Sequence, residues 1–112
     1  MNTKLGKIKN AYIGRGGYQG AELGLWLELG GESWDACDGQ GTWDPEQIRH
    51  DEHSKWTEDD RNQQLAAVLR ELSKYLRQAK VDKVQDLIGK PVEVTFKNVN
   101  HLDSWRILEE VL

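Results

Sequence analysis

The sequence predicts an α+β domain. A mostly antiparallel sheet of about six strands is expected, four N-terminal and two C-terminal, with one long and one short helix inserted between them. Three observations carry this. Leu23, Leu25, Leu27 and Leu29 alternate with Gly24, Trp26 and Glu28, the period-two pattern of a strand with one face on a core. Leu65, Val68, Leu69, Leu72, Leu76 and Ala79 recur at spacings of three and four, which is the stripe of an amphipathic helix. Residues 91–96, Pro-Val-Glu-Val-Thr-Phe, alternate again. Strands, then helices, then strands is the α+β order.

Taken from the N-terminus, residues 7–13 read as a first strand with imperfect alternation. A loop at 14–20 joins it to the leucine strand at 21–29. Seven of the 11 glycines fall between Gly14 and Gly31, and the loop contains Arg15-Gly16-Gly17-Tyr18-Gln19-Gly20. Gly30-Gly31 is turn chemistry. Residues 33–38 make a third strand, 38–41 (Asp-Gly-Gln-Gly) a turn, and 42–44 a short fourth strand stopped by Pro45. Residues 45–56 are polar and irregular, a surface loop. Thr57 is an N-cap ahead of Glu58, Asp59 and Asp60, with carboxylates at the positive end of the helix. Asp60 stands where a capping box prefers Glu or Gln. The long helix then runs over about 58–80. A short helix follows, capped by Asp82, with Val84, Leu87 and Ile88 inward, and Gly89 with Pro91 ends it. After the strand at 91–96 and a loop at 98–101, residues 104–112 read as a last strand, apolar to its end and therefore paired.

Size and composition bound the function. A chain of 112 residues is one domain, 1–112, and a homodimer would enlarge its modest core. An apolar fraction of 38% and a charged fraction of 30% describe a globular protein. No apolar run approaches the ~20 residues of a membrane helix, and residues 1–7 carry no signal-peptide core. A cytoplasmic protein is expected. Cys37 is the lone cysteine, so no intramolecular disulfide forms. A net charge of −4 argues against bulk nucleic-acid binding. One small anionic ligand needs only a few donors and stays possible.

Several groups can carry chemistry, each with a plainer reading. Backbone N–H groups of the glycine loop can form an anion-binding nest, with Arg15 and Gln19 adding donors. It lacks the spacing of a P-loop or dinucleotide fingerprint, and a structural hairpin also accounts for its glycines. Five tryptophans offer stacking or anchoring surfaces, although core filling explains most of them. Trp26 is the most suggestive, since it opposes the leucine face. His50-Asp51-Glu52-His53 has a spacing that can ligate a metal, yet it does not match HExxH and reads as a solvated loop. Arg106, inside the last strand, either pairs with a carboxylate across the sheet or points its fork at a phosphate.

The residues also carry a family resemblance. Gly16-Gly17-Tyr18-Gln19, Gly41-Thr42-Trp43, Trp56-Thr57-Glu58 with Arg61, Ala79-Lys80-Val81, the run from Gly89 to Phe96, and Ser104-Trp105-Arg106-Ile107-Leu108 with Glu110-Val111-Leu112 resemble the first Thoeris anti-defence family of small phage and prophage proteins. The resemblance spans the chain from about Leu5 to its end. It departs at Gly20, where Asp is expected, and at Glu109, where Thr is expected. It implies an antiparallel sheet with two helices before the last two strands. It implies a sponge, not an enzyme, that binds a cyclic ADP-ribose messenger made by TIR-domain immune enzymes without cleaving it and without a cofactor. It implies a homodimer or higher homo-oligomer with ligand sites between protomers, no membrane and no bulk nucleic acid, in the cytoplasm of an infected bacterium. Among the matched segments, Gly17, Tyr18, Gln19, Arg61 and Arg106 are the ligand-binding positions it implies. Two rivals remain. One is direct binding to a host defence protein, a nuclease or CRISPR effector, steered by an acidic surface. The other is a small hydrolase, against which the lack of a triad, a metal motif or a spaced acid pair counts.

Overall fold

The computed structural model describes residues 2–99 and 101–112. Its elements are β1 (Asn2–Gly16), β2 (Glu22–Gly31), β3 (Trp34–Trp43), α1 (Glu58–Ala79), β4 (Pro91–Asn98) and β5 (His101–Ile107), with single 3-10 turns at Tyr18–Gly20, Val84–Leu87 and Glu109–Val111. The strands form one antiparallel sheet in the order β3-β2-β1-β4-β5. This is the predicted α+β class, with five strands and one α-helix in place of about six strands and two helices.

β1 is the spine. Its first half, Asn2 to Lys7, pairs with β4, and its second half, Lys7 to Gly16, pairs with β2. The register slips between Ile8 and Asn10. A bulge of this kind adds one residue and turns the following side chains over. Hence Ile8 and Ala11 are both buried although two residues, Lys9 and Asn10, lie between them and regular alternation would put them on opposite faces. This explains the imperfect alternation of 7–13.

The sheet curls. β3 and β5 lie at opposite edges, yet Trp105 Nε1 donates a 2.7 Å hydrogen bond to Asp38 Oδ2. Near the other end Trp34 of β3 meets Phe96 of β4 edge-on, with ring centroids 5.6 Å apart. The concave face holds Ile8, Leu25, Leu29, Val92, Val94 and Ile107, all essentially inaccessible to solvent. α1 closes this face, burying Val68, Tyr75 and Ala79. Leu69, counted in the apolar stripe, lies off the contact face and is 62% exposed.

Four local expectations are corrected. β3 runs unbroken from Trp34 to Trp43, so 38–41 is strand and not a turn. The glycines there answer to a side chain on the neighbouring strand, described below. The second helix is a four-residue 3-10 turn, Val84–Leu87. It lies between two left-handed residues, Lys80 (φ 60°) and Gly89 (φ 92°). β5 stops at Ile107, and the last residues fold into a 3-10 turn that leaves Val111 65% exposed. The C-terminus is therefore not a paired strand. The capping box is complete despite Asp60: Asp60 N donates to Thr57 Oγ1 at 3.0 Å and Thr57 N donates to Asp60 Oδ2 at 2.8 Å. The predicted loop at 98–101 includes Asn100, which lies outside the described residues, as does Met1. Among the described residues no helix is long and apolar enough to cross a membrane.

Candidate functional site

Because Leu25, Leu27 and Leu29 face the core, Trp26 and Glu28 face the opposite, convex side of the sheet. The register aligns Tyr12, Trp26 and Gly39 in one row across β1, β2 and β3. It aligns Gly14, Gly24 and Gly41 in the next row, and Asn10, Glu28 and Cys37 in the row on the other side. Trp26 Nε1 donates to the Gly14 carbonyl at 2.9 Å. A Cβ at Gly16 would sit 2.8 Å from the indole, one at Gly41 3.1 Å away, and one at Gly39 well inside contact distance. The indole therefore spans from β1 to β3 across positions that only glycine leaves free. Here glycine is required for close approach, not for positive φ.

On one side of this ring lies an open cavity of about 330 Å³, lined by Tyr12, Gly17, Trp26, Glu28, Cys37 and Gly39 among others. A wider hollow on its other side is bounded by Glu22, Gln40, Gly41, Gln64 and Ala67. The arrangement offers the π-face of a part-buried indole, the Tyr12 phenol and the Glu28 carboxylate. Flat rings stack on such a surface, and a carboxylate accepts hydrogen bonds from hydroxyl or amino groups. A separate cavity of about 300 Å³, with Asn2, Lys4, Trp34 and Phe96 in its lining, lies at the other end of β1.

The glycine loop forms the tip of the β1–β2 hairpin. Gly17, Gln19 and Gly20 have φ of 67°, 53° and 68°. The tip is closed on itself: Tyr18 N donates to Glu22 Oε2 at 3.0 Å, Gly20 N to Gly17 O at 3.3 Å and Ala21 N to Tyr18 O at 3.0 Å. An anion nest would need such N–H groups to converge outward, so the hairpin reading describes this loop better. Tyr18 projects from it, 68% exposed.

Arg15 is not a free donor either. Its Nε donates to Asp44 Oδ2 at 2.7 Å, and Asp44 is 2% exposed. Asp44 Oδ1 accepts from Glu46 N at 3.0 Å, and Asp44 N donates to Ala21 O at 2.9 Å. The Glu46 N–H, with Arg15 beside it, holds the Asp44 carboxyl below its ordinary range despite burial. This clamp ties the hairpin tip to the end of β3.

The five positions implied by the resemblance fall in three places. Gly17, Tyr18 and Gln19 share the tip, and Gly17 reaches the cavity beside Trp26. Arg61 is 4% exposed. It donates through Nη2 to Ile48 O at 3.0 Å, pairs with Glu58 at 3.2 Å and lies 4.4 Å over the Trp56 ring. These contacts fasten the 45–56 loop to α1. Arg106 lies on β5, the far edge of the sheet. Its Nε donates to Glu93 at 3.1 Å, and Nη1 and Nη2 donate to Glu110 at 3.0 and 2.9 Å. Of its two readings the structure takes the carboxylate one, and these partners raise its pKa further.

His53 pairs with neighbouring Glu52 at 3.5 Å, and His50 packs edge-on against Trp56. Among the described residues no group of three His, Cys, Asp or Glu side chains is placed to hold a metal ion. Sequence reasoning missed Tyr12 and Glu28 as cavity residues. Their signal was available only as their register with Trp26. Comparison of the chain with protein families, with curated proteins and with solved structures finds no match.

Proposed function

We propose that this protein is a phage anti-defence sponge. It binds a cyclic ADP-ribose messenger made by TIR-domain enzymes and holds it uncleaved in the cytoplasm of an infected bacterium. The observation that carries the reading is the Trp26 indole laid across glycine positions on the convex face, flooring a cavity of about 330 Å³ that Gly17 of the hairpin tip helps to line. The messenger offers adenine, two riboses and a pyrophosphate. Adenine stacks on Trp26, at a worth of ~1–3 kcal/mol for base on aromatic ring. Glu28 accepts from ribose hydroxyls, the role an acidic residue takes beside many nucleotides. A cavity this open covers only one side of such a ligand. The other side is covered by a second subunit in a homo-oligomer, whose hairpin tip or Arg106 supplies donors to the phosphates. Arg106 then has to exchange Glu110 for phosphate, a trade of one bidentate partner for another.

A release assay tests this. Protein is incubated with cyclic ADP-ribose isomers, freed of unbound ligand, heated, and the released material is analysed by mass spectrometry. Intact messenger near one per subunit is expected, with Trp26→Ala reducing retention at least tenfold. No binding of any isomer at micromolar concentration sinks the proposal. A stoichiometric host protein in a pulldown would point to direct inhibition instead, and cleaved product accumulating over many turnovers would point to an enzyme.

A further inference from the structure

On the convex face Trp26 has Tyr12 opposite it on β1 and Gly39 opposite it on β3. Glu28, two residues on, shares that face, between Asn10 and Cys37. Tyr12, Trp26 and Glu28 all line the cavity of about 330 Å³. Glu28 is exposed and has no hydrogen-bond or ion-pair partner among the described residues. The two cations nearest in sequence to Tyr12 are taken. Lys9 and Asp35 lie over Gly30, the next residue of this face after Glu28, and pair with each other at 3.3 Å. Arg15 is held by the buried Asp44 at 2.7 Å. The cavity therefore combines the electron-rich face of an indole with one uncompensated negative charge. Both attract a cation, and the carboxylate repels a phosphate.

We infer that the ring this cavity takes is a flat heteroaromatic cation, held by cation–π attraction to Trp26 with Glu28 as its counter-ion. The inference rests on the reading of this cavity as the ligand site and names the charge of the group stacked there. Tryptophan is the best of the aromatic side chains for such a contact, and exclusion of water strengthens it. The indole lies across Gly16, Gly39 and Gly41, so a flat ring laid on it meets a broad surface, whereas a compact ammonium meets only part of it. Glu28 has two oxygens, and one can accept a ribose hydroxyl while the charge stays beside the ring. A neutral ring stacks here too, but it leaves the carboxylate without a charge partner. Phosphates attached to the ring point away from Glu28, toward the donors of a second subunit.

Two probes of nearly the same shape test this: 1-methylnicotinamide, which carries a permanent ring charge, and nicotinamide, which carries none. Each is titrated into the isotope-labelled full chain, and the NMR shifts of the Trp26 indole N–H and the Gly39 amide give the dissociation constants. The cation should bind roughly tenfold tighter, with the preference shrinking as salt is added. Glu28→Gln, a change at an exposed side chain, should bring the two constants within about twofold of each other. Equal constants in the wild type, a preference unchanged in Glu28→Gln, or shifts at neither reporter overturn the inference. The release assay reads separately. A chain that retains the messenger but does not prefer the charged ring loses this inference alone. A chain that prefers the charged ring but retains no messenger loses the sponge.

Discussion

The Trp105 indole of β5 and the Asp38 carboxylate of β3 share a 2.7 Å hydrogen bond although the two strands form opposite edges of the sheet. Trp105 also stacks on Tyr75 of α1, with centroids 5.0 Å apart. Tyr75 OH donates to Glu71 at 3.0 Å. These four residues bridge the mouth of the curled sheet and seat the helix in it.

The Trp105–Asp38 bond predicts a measurable coupling. Trp105→Phe, which removes the donor, and Asp38→Ala, which removes the acceptor, should each destabilise the fold by about 1 kcal/mol, a usual net value for one hydrogen bond. The double variant should cost less than the sum, because the two changes remove the same interaction. Urea denaturation of the four proteins measures this. Strict additivity would show that the bond does not join the edges in solution.

Tyr75 makes the alkaline limb of stability predictable. Burial, and then the charges of Glu71 and Asp38, push its hydroxyl well above the ordinary tyrosine range. The unfolded chain releases this proton near pH 10, before the folded chain does. Stability therefore falls as pH rises above about 10. Tyr75→Phe, which has no proton to lose, should show a shallower decline. An ultraviolet titration of the native protein should find one tyrosine silent until the chain unfolds.

At acid pH the Asp44 clamp should respond in the opposite direction. Its carboxyl is held below the ordinary range by Glu46 N–H and Arg15, so the folded state keeps the carboxylate where the unfolded state takes up a proton. The contribution is complete above about pH 4 and is lost as pH falls through the depressed value. Amide protection at residues 17–21 and 44–48, corrected for the intrinsic rate at each pH, should fall over that range before that of the β4 core does. An Asp44→Asn variant should exchange faster there at neutral pH and show little further change in acid.

Glycines 39 and 20 separate steric from conformational need. Gly39→Ala pushes a methyl into the Trp26 ring and should cost ~1–3 kcal/mol, the range for overpacking. It should also change tryptophan emission and, on the proposed function, abolish messenger retention. Gly20→Ala meets nothing within 4 Å but must hold a φ of 68°, at a cost of about 1–2 kcal/mol, with tryptophan emission unchanged. Denaturation curves with fluorescence read-out distinguish the two. Equal spectra would show that the indole does not lie on the glycine row.

What the chain discloses locally is what neighbouring residues decide among themselves. The leucine alternation of β2, the stripe of α1 with its Thr57 cap, and the alternation of β4 all follow from short-range spacing, and each stands in the structure with nearly the expected bounds. The α+β class follows from their order. Whatever depended on a partner brought in by register was decided by the tertiary structure alone. Gly39 looks like a turn residue because its reason for being glycine is an indole from β2, and Gly41 because a Cβ there would meet the Leu23 carbonyl as well as that indole. The groups that hold Arg61 and Arg106 in the folded chain, Ile48 and Trp56 for one and Glu93 and Glu110 for the other, are assembled only by folding. The bulge in β1 is likewise invisible until two strands are paired. A sequence records its periodicities directly, whereas close approach across strands is a property of the pair, and the Trp26 face with its cavity exists only once β1, β2 and β3 lie side by side.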